Sequence, residues 1–251
     1  MKAFVINLST IESSNNSAKV VLEKLTEYGF DAELFEGTYG DDGVSLFKND
    51  NRRLADYGIK TEEIPIDVFK SRYPNSEVPN SAVGLVVRKP LNGDPKFQKI
   101  LRPGVIGCFY SHYRLWQKCI ELNEPIFIFE DDVLFERGYI PVEWQDVILL
   151  CTGKQSYKEP FFEEKLFKPR GRPCTHRLPN TSMPGAVGYG ITPQGATKLV
   201  EYYKTQMLPA DTAMNQFVVK LECHSHLMGR AAIDVDGKES LTRSKRWGEF
   251  K

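Results

Sequence analysis

The sequence has no excess of either charge: 33 Lys and Arg stand against 33 Asp and Glu in 251 residues. A bulk electrostatic attraction to nucleic acid or to a membrane surface is thereby excluded, and any polyanion must be met by a local patch. No run of 18 apolar residues occurs, and MKAFVINLST at the N-terminus lacks a signal-peptide apolar core; this predicts a cytoplasmic protein with no stable membrane insertion. The cysteines, Cys108, Cys119, Cys151, Cys174 and Cys223, are odd in number and include no Cys-x-x-Cys pair. That argues against a disulfide framework or a zinc knuckle and for a reducing compartment. A Gly-rich fingerprint after the first strand is also missing, which demotes dinucleotide dehydrogenases. The length suits one sizeable α/β domain better than two small ones.

What the sequence does contain is concentrated in residues 104–134, GVIGCFYSHYRLWQKCIELNEPIFIFEDDVL. Val105, Phe109, His112, Trp116 and Cys119 recur at steps of three or four, which predicts a helix of about 16 residues with one buried face. Asn123, Glu124 and Pro125 close it, because Pro lacks an N–H and turns the preceding residue away from helical dihedrals. Ile126 to Phe129 are apolar without alternation, the pattern of a strand covered on both faces. Glu130, Asp131 and Asp132 follow at once. Three adjacent acids at the exit of a buried strand repel one another, and ligands of open α/β sheets bind at strand carboxyl ends, so a divalent cation is expected there. An all-oxygen ligand set favours Mg²⁺ or Mn²⁺ over Zn²⁺.

The pattern Gly104, Gly107, Cys108, Ser111, His112 and Trp116, followed by the strand and Glu-Asp-Asp, resembles glycosyltransferase family 25, the lipopolysaccharide and collagen galactosyltransferase relatives. Weaker similarity extends to Val5–Leu8, Asp146–Leu150, Gly185–Glu201, and to Pro209 and Asp211. The resemblance implies a single GT-A type (Rossmann-like) α/β domain with a mixed sheet flanked by helices, a nucleotide-sugar donor, a divalent metal on the acidic motif, and inverting transfer to a hydroxyl. On that reading Asp132, assisted by Glu130 or Asp131, holds the metal, with His226 as a candidate further ligand. Asn7, Leu8, Gly107, Ser111 and His112 line the donor side. Asp211 is the expected catalytic base, at a helix start whose dipole favours the ionised carboxylate.

The rest of the chain is read in that light. Ala3–Leu8 is a buried strand, Ser17–Tyr28 an amphipathic helix closed by Gly29, and Ala32–Phe35 a second strand. An arginine-rich stretch usual in the family after the first strand is replaced by Thr10–Asn16, which leaves the donor sugar open. Residues 39–102 read as an insertion with helical pieces near Asn51–Tyr57 and Ile66–Tyr73. A helix from Pro209 to about Lys220 carries Asp211, and His224 and His226 alternate on a late strand. Two segments mix cations with aromatics: Lys165 to Arg177, including Arg170 and Arg172, and the tail 240–251, including Arg243 and Arg246. These are the expected contacts to phosphates or acceptor.

A glycan such as lipopolysaccharide is the expected acceptor. The alternative is a hydroxylated base in DNA, as in a bacteriophage enzyme, with the base extruded to reach Asp211. Two rival classes are a non-catalytic sugar-binding protein and a metal-dependent phosphoesterase, for which Asp234 and Asp236 offer the only second acidic pair.

Overall fold

A computed structural model describes residues 1–55, 61–72, 74, 82–88, 96–152, 176–177, 186–214 and 219–231. The domain opens with strand β1 (Lys2–Asn7), helix α1 (Glu12–Glu27) and strand β2 (Asp31–Glu36), a β-α-β unit in which β1 and β2 pair in parallel. Helix α1 begins five residues before the expected Ser17, and Gly29 ends the turn after it with φ of 81°, a conformation that suits a residue without Cβ. Helix α2 (Gly40–Asn49) leads to strands β3 (Arg53–Leu54) and β4 (Thr61–Ile64), helix α3 (Ile66–Arg72), and strands β5 (Gly84–Arg88) and β6 (Lys96–Leu101). Helix α4 (Pro103–Leu122) follows, then β7 (Ile126–Phe129), β8 (Val133–Phe135), β9 (Val147–Thr152), β10 (His176–Arg177) and β11 (Gly188–Ile191). The described chain closes with α5 (Pro193–Tyr202), β12 (Gln206–Met207), α6 (Ala210–Ala213) and β13 (Cys223–Ala231).

The main sheet has the order β10-β13-β9-β11-β7-β1-β2, with β8 added beside β13. Strand β1 is parallel to β7 and β2, and β9 is parallel to β13, while β11 runs antiparallel between β7 and β9. The carboxyl ends of β1, β2, β7, β9 and β13 therefore meet at one edge. This mixed sheet, with α1 on one face and α4 and α5 on the other, is the GT-A-like α/β architecture expected. One apolar cluster, with Phe4, Ile128, Leu149 and Tyr189, packs under α4; a second, with Val5, Phe127, Phe129 and Leu150, packs under α1.

Helix α4 is the axis of the first cluster. Pro103 occupies its first turn, where a missing N–H costs nothing, and Asn123 ends it in the left-handed region at φ 51°. Phe109, Leu115, Trp116 and Cys119 are fully buried along it. Helix α2 crosses it so closely that a Cβ on Gly43 would sit 2.7 Å from the Gly107 nitrogen, and one on Gly107 would sit 2.5 Å from the Thr38 carbonyl oxygen. Arg52, 9% exposed, anchors the following turn. Its guanidinium lies 4.3 Å from the Tyr113 ring centroid, Nε donates to Asp50 Oδ2 at 2.9 Å, and Nη1 donates to the Tyr203 carbonyl. At the far end of the sheet, buried Asp146 accepts from Lys198 Nζ at 2.6 Å and from the Glu222 N–H at 2.7 Å, tying β9 to α5 and β13.

The stretch read as an insertion from residue 39 thus divides in two. Residues 40–55 are built into the domain through α2 and through β3, which pairs with β12, while β4, β5 and β6 form a separate antiparallel sheet. The helical piece expected near Asn51–Tyr57 is instead the strand β3, because Arg53 and Ala55 donate their N–H groups to Thr205 and Met207 carbonyls. The helix expected from Pro209 to Lys220 stops at Ala213. Its terminal carbonyl is taken by Tyr203 Oη at 3.0 Å, and Met214 turns fully into the core.

Because the Thr38 carbonyl is backbone and cannot rotate away, Gly107→Ala is expected to destabilise the protein by about 1–3 kcal/mol, whereas Gly138→Ala, whose Cβ would meet the Tyr28 ring at an ordinary 3.4 Å, is expected to cost less. Chemical denaturation of the two variants checks the ranking.

Candidate functional site at the carboxyl edge of the sheet

The acids emerge from β7 at the edge where the parallel strands end. The Glu130 N–H donates to the Val187 carbonyl at 2.8 Å, so this exit is stitched to the start of β11. Asp131 and Asp132 form the turn into β8, and all three acids are half-buried. Strand alternation sends Glu130 to the α4 face, the side of Ile128. Its Oε1 lies 3.3 Å from His112 Nε2 and 3.8 Å from Cys108 Sγ. Asp132 acts elsewhere: its charge bears on the buried Cys151 at the end of β9. Glu130 is thus directed toward α4, while Asp131 and Asp132 remain on the turn.

Beneath Glu130 lies a buried polar row. His112, Trp116 and Tyr189 are all 0% exposed. His112 Nδ1 is 2.9 Å from Tyr189 Oη, and Trp116 Nε1 donates to the same oxygen at 2.8 Å. The residues on either side of Tyr189 explain its position. A Cβ on Gly188 would meet Cys151 Sγ and Phe129 Cδ1 within 2.9 Å, and one on Gly190 would meet Ile148 Cγ2 at 2.8 Å. Only Tyr189 of Gly-Tyr-Gly therefore carries bulk, and it faces α4. Burial pushes its hydroxyl pKa well above the ordinary phenol value, so it stays protonated.

On the donor side, Asn7 is 4% exposed at the end of β1, and its carbonyl accepts the Gly37 N–H at 2.7 Å. Among the described residues its side-chain Oδ1 is buried with no hydrogen-bond donor. The Leu8 N–H donates to Ser14 Oγ at 3.0 Å. Ser111 Oγ accepts the Thr38 N–H at 2.8 Å and donates to the Gly107 carbonyl at 2.9 Å, so Ser111 and Gly107 together hold the Gly37–Tyr39 turn against α4. Tyr39 Oη in turn receives the Thr10 N–H at 3.0 Å, closing the loop after β1 onto the same turn.

Asp211 stands in the short helix α6, which packs on α4 through Ala210 and Ala213, and its Oδ1 accepts from Thr212 Oγ1 at 3.2 Å. His226 lies on β13 against the Tyr139 ring, 5.9 Å between centroids. It lies in the bulged segment between Ser225 and Gly229, before the part of β13 whose Ala231 pairs with Val133 beside the acid turn. Arg170, Arg172, Arg243, Arg246, Asp234 and Asp236 lie outside the described residues. Sequence reasoning overlooked Tyr189 and Glu130's turn toward His112; the flanking glycines in the strand were the available signal.

Cys108 Sγ, His112 Nε2 and a Glu130 oxygen lie within 4.8 Å of one another, close enough to share an ion. This is a mixed S, N and O set, unlike the carboxylates of the Asp131–Asp132 turn. Among the described residues no helix is long and apolar enough to cross a membrane.

The comparisons with known proteins agree with this architecture. The family model described as glycosyltransferase family 25 (LPS biosynthesis protein) matches residues 1–214. The chain belongs to glycosyltransferase family 25. Its relatives include the lipooligosaccharide biosynthesis protein lic2B of Haemophilus influenzae, 29% identical over 55% of this chain and 53% of that protein. A glycosyltransferase 25 family member of Drosophila melanogaster is 31% identical over 43% of this chain and 18% of its own length. The human inactive glycosyltransferase 25 family member 3 is 30% identical over 55% of this chain and 24% of its own length. The match thus spans about half or less of each of these relatives, and the family includes members named as inactive.

Burial pushes the Cys119 thiol up to about 12 and the Cys151 thiol well above its ordinary value, while Cys108 is partly exposed. In native protein at pH 8, iodoacetamide followed by peptide mapping is expected to label Cys108 in preference to Cys119 and Cys151. Equal labelling of the three would contradict the burial.

Proposed function

We propose that this chain transfers a sugar from a nucleotide-sugar donor to an acceptor hydroxyl with inversion, and that the acid turn Glu130–Asp132 is its catalytic edge. The observation that carries this reading is the convergence of β1, β7 and β9 carboxyl ends at that turn in a family 25 chain. Asn7, the backbone at Leu8, and the Gly37–Tyr39 turn braced by Gly107 and Ser111 form the donor side. Asn7 offers its side-chain carbonyl to a donor N–H or O–H.

Asp131 and Asp132 suit a hard divalent cation, Mn²⁺ or Mg²⁺, because both are carboxylates on the half-buried turn after β7, where Asp132 Oδ1 is shielded from solvent. Such an ion, when bound, supplies charge neutralisation for a departing diphosphate. His226, which packs against the Tyr139 ring, is not needed in that set. Asp211 acts as general base: it accepts the proton of the acceptor hydroxyl while that oxygen forms the new bond at the anomeric carbon and the nucleoside diphosphate leaves. The acceptor is a glycan, the class to which the lic2B relative's name refers.

A panel of nucleotide sugars with Mn²⁺ tests the reading. Sugar-dependent release of nucleoside diphosphate is expected with one donor, and release with none would sink it. Asp132→Ala is expected to abolish release and the metal-dependent thermal stabilisation by nucleotide, without lowering the melting temperature of the metal-free protein, since removing one of three neighbouring acids relieves repulsion.

A further inference from the structure

The buried row beneath Glu130 has a direction, and it follows from the donors available. Trp116 Nε1 can only donate, so its 2.8 Å contact makes Tyr189 Oη an acceptor. Tyr189 then has one proton left to give, and His112 Nδ1 lies 2.9 Å away. A nitrogen that accepts this proton carries none of its own, so the single imidazole proton sits on Nε2, which faces Glu130 Oε1 at 3.3 Å. The reverse order would place two donors on the phenol oxygen and leave its own proton buried without an acceptor, the costly arrangement for a polar group in a core.

We propose that Trp116, Tyr189 and His112 form a one-way hydrogen-bond relay that locks His112 as its Nε2–H tautomer and thereby holds the Glu130 carboxylate in place at the sheet edge. His112, Tyr189 and Trp116 are positioning residues, acting on the site only through Glu130. Helix α4 supplies His112 and Trp116 one turn apart, and the antiparallel β11 supplies Tyr189 between them. The relay also sets how Cys108, His112 and Glu130 are used. An ion on Nε2 would require the proton to move to Nδ1, against Tyr189, so this cluster is an orienting device and the cation falls to Asp131 and Asp132. The importance of Glu130 to transfer rests on the function proposed above; the relay itself does not.

The tautomer is read directly by two-bond proton–nitrogen NMR on ¹⁵N-histidine-labelled protein. The chain has four histidines, so His112 is assigned by difference against His112→Gln, or by substituting the other three singly should that variant fail to fold. The expected spectrum shows a proton on Nε2 and a bare Nδ1. A proton on Nδ1, or on both nitrogens, overturns the relay. In Tyr189→Phe the Nε2–H still meets Glu130, so that tautomer is expected to persist while the bare Nδ1 resonance shifts on losing its hydrogen bond; an unchanged Nδ1 resonance would overturn the part given to Tyr189.

Transfer adds a second readout. His112→Gln keeps an N–H donor toward Glu130 and is expected to retain about tenfold more activity than His112→Leu. Equal activity of the two, with both folded, contradicts positioning through that hydrogen bond. If no nucleotide sugar is turned over by the wild type, the transfer reading fails while the NMR result still decides the relay.

Discussion

The pair of hydrogen bonds at Tyr189 Oη joins three parts of the chain that are distant in sequence: α4, β11 and, through His112, the exit of β7. Much of the site depends on it. Strand β11, running antiparallel between β7 and β9, brings Tyr189 to the Nδ1 side of the imidazole whose Nε2 faces Glu130. The interaction is buried, so its polar atoms must be satisfied within the fold, and that demand fixes the orientation of each group.

The same buried row explains the division of labour among the acids. A triplet of carboxylates at one turn is unfavourable as an isolated feature, and a single cation is the simplest remedy. The fold supplies two. Glu130 is drawn to the α4 face by the His112 imidazole, and Asp131 and Asp132 are left at the turn. The structure therefore reduces the repulsion before any ion binds.

Much of this was legible in the sequence. Helix α4, β7 and the acid turn follow from the period of Phe109, His112, Trp116 and Cys119, the unbroken Ile126–Phe129 run and the Asn123–Pro125 stop. Helix α2 was not legible, because Gly40 and Gly43 are poor helix formers; they are used for close approach to Pro103 and Gly107 on α4, which only the tertiary crossing reveals. The length of α6 was overestimated for a similar reason, since Tyr203 takes the carbonyl that would have continued it. The contact between His112 and Tyr189 spans 77 residues of chain, and periodicity, being local, does not report a pairing of that kind.

Anomalous diffraction from a crystal grown with Mn²⁺ and a nucleoside diphosphate tests the central claim, that the acid turn is the cation site and the Cys108–His112–Glu130 group is its support. The account predicts a manganese peak within coordinating distance of the Asp132 carboxylate, with His112 Nε2 still directed at Glu130. A peak held by Cys108 and His112, or one distant from the acid turn, would contradict it.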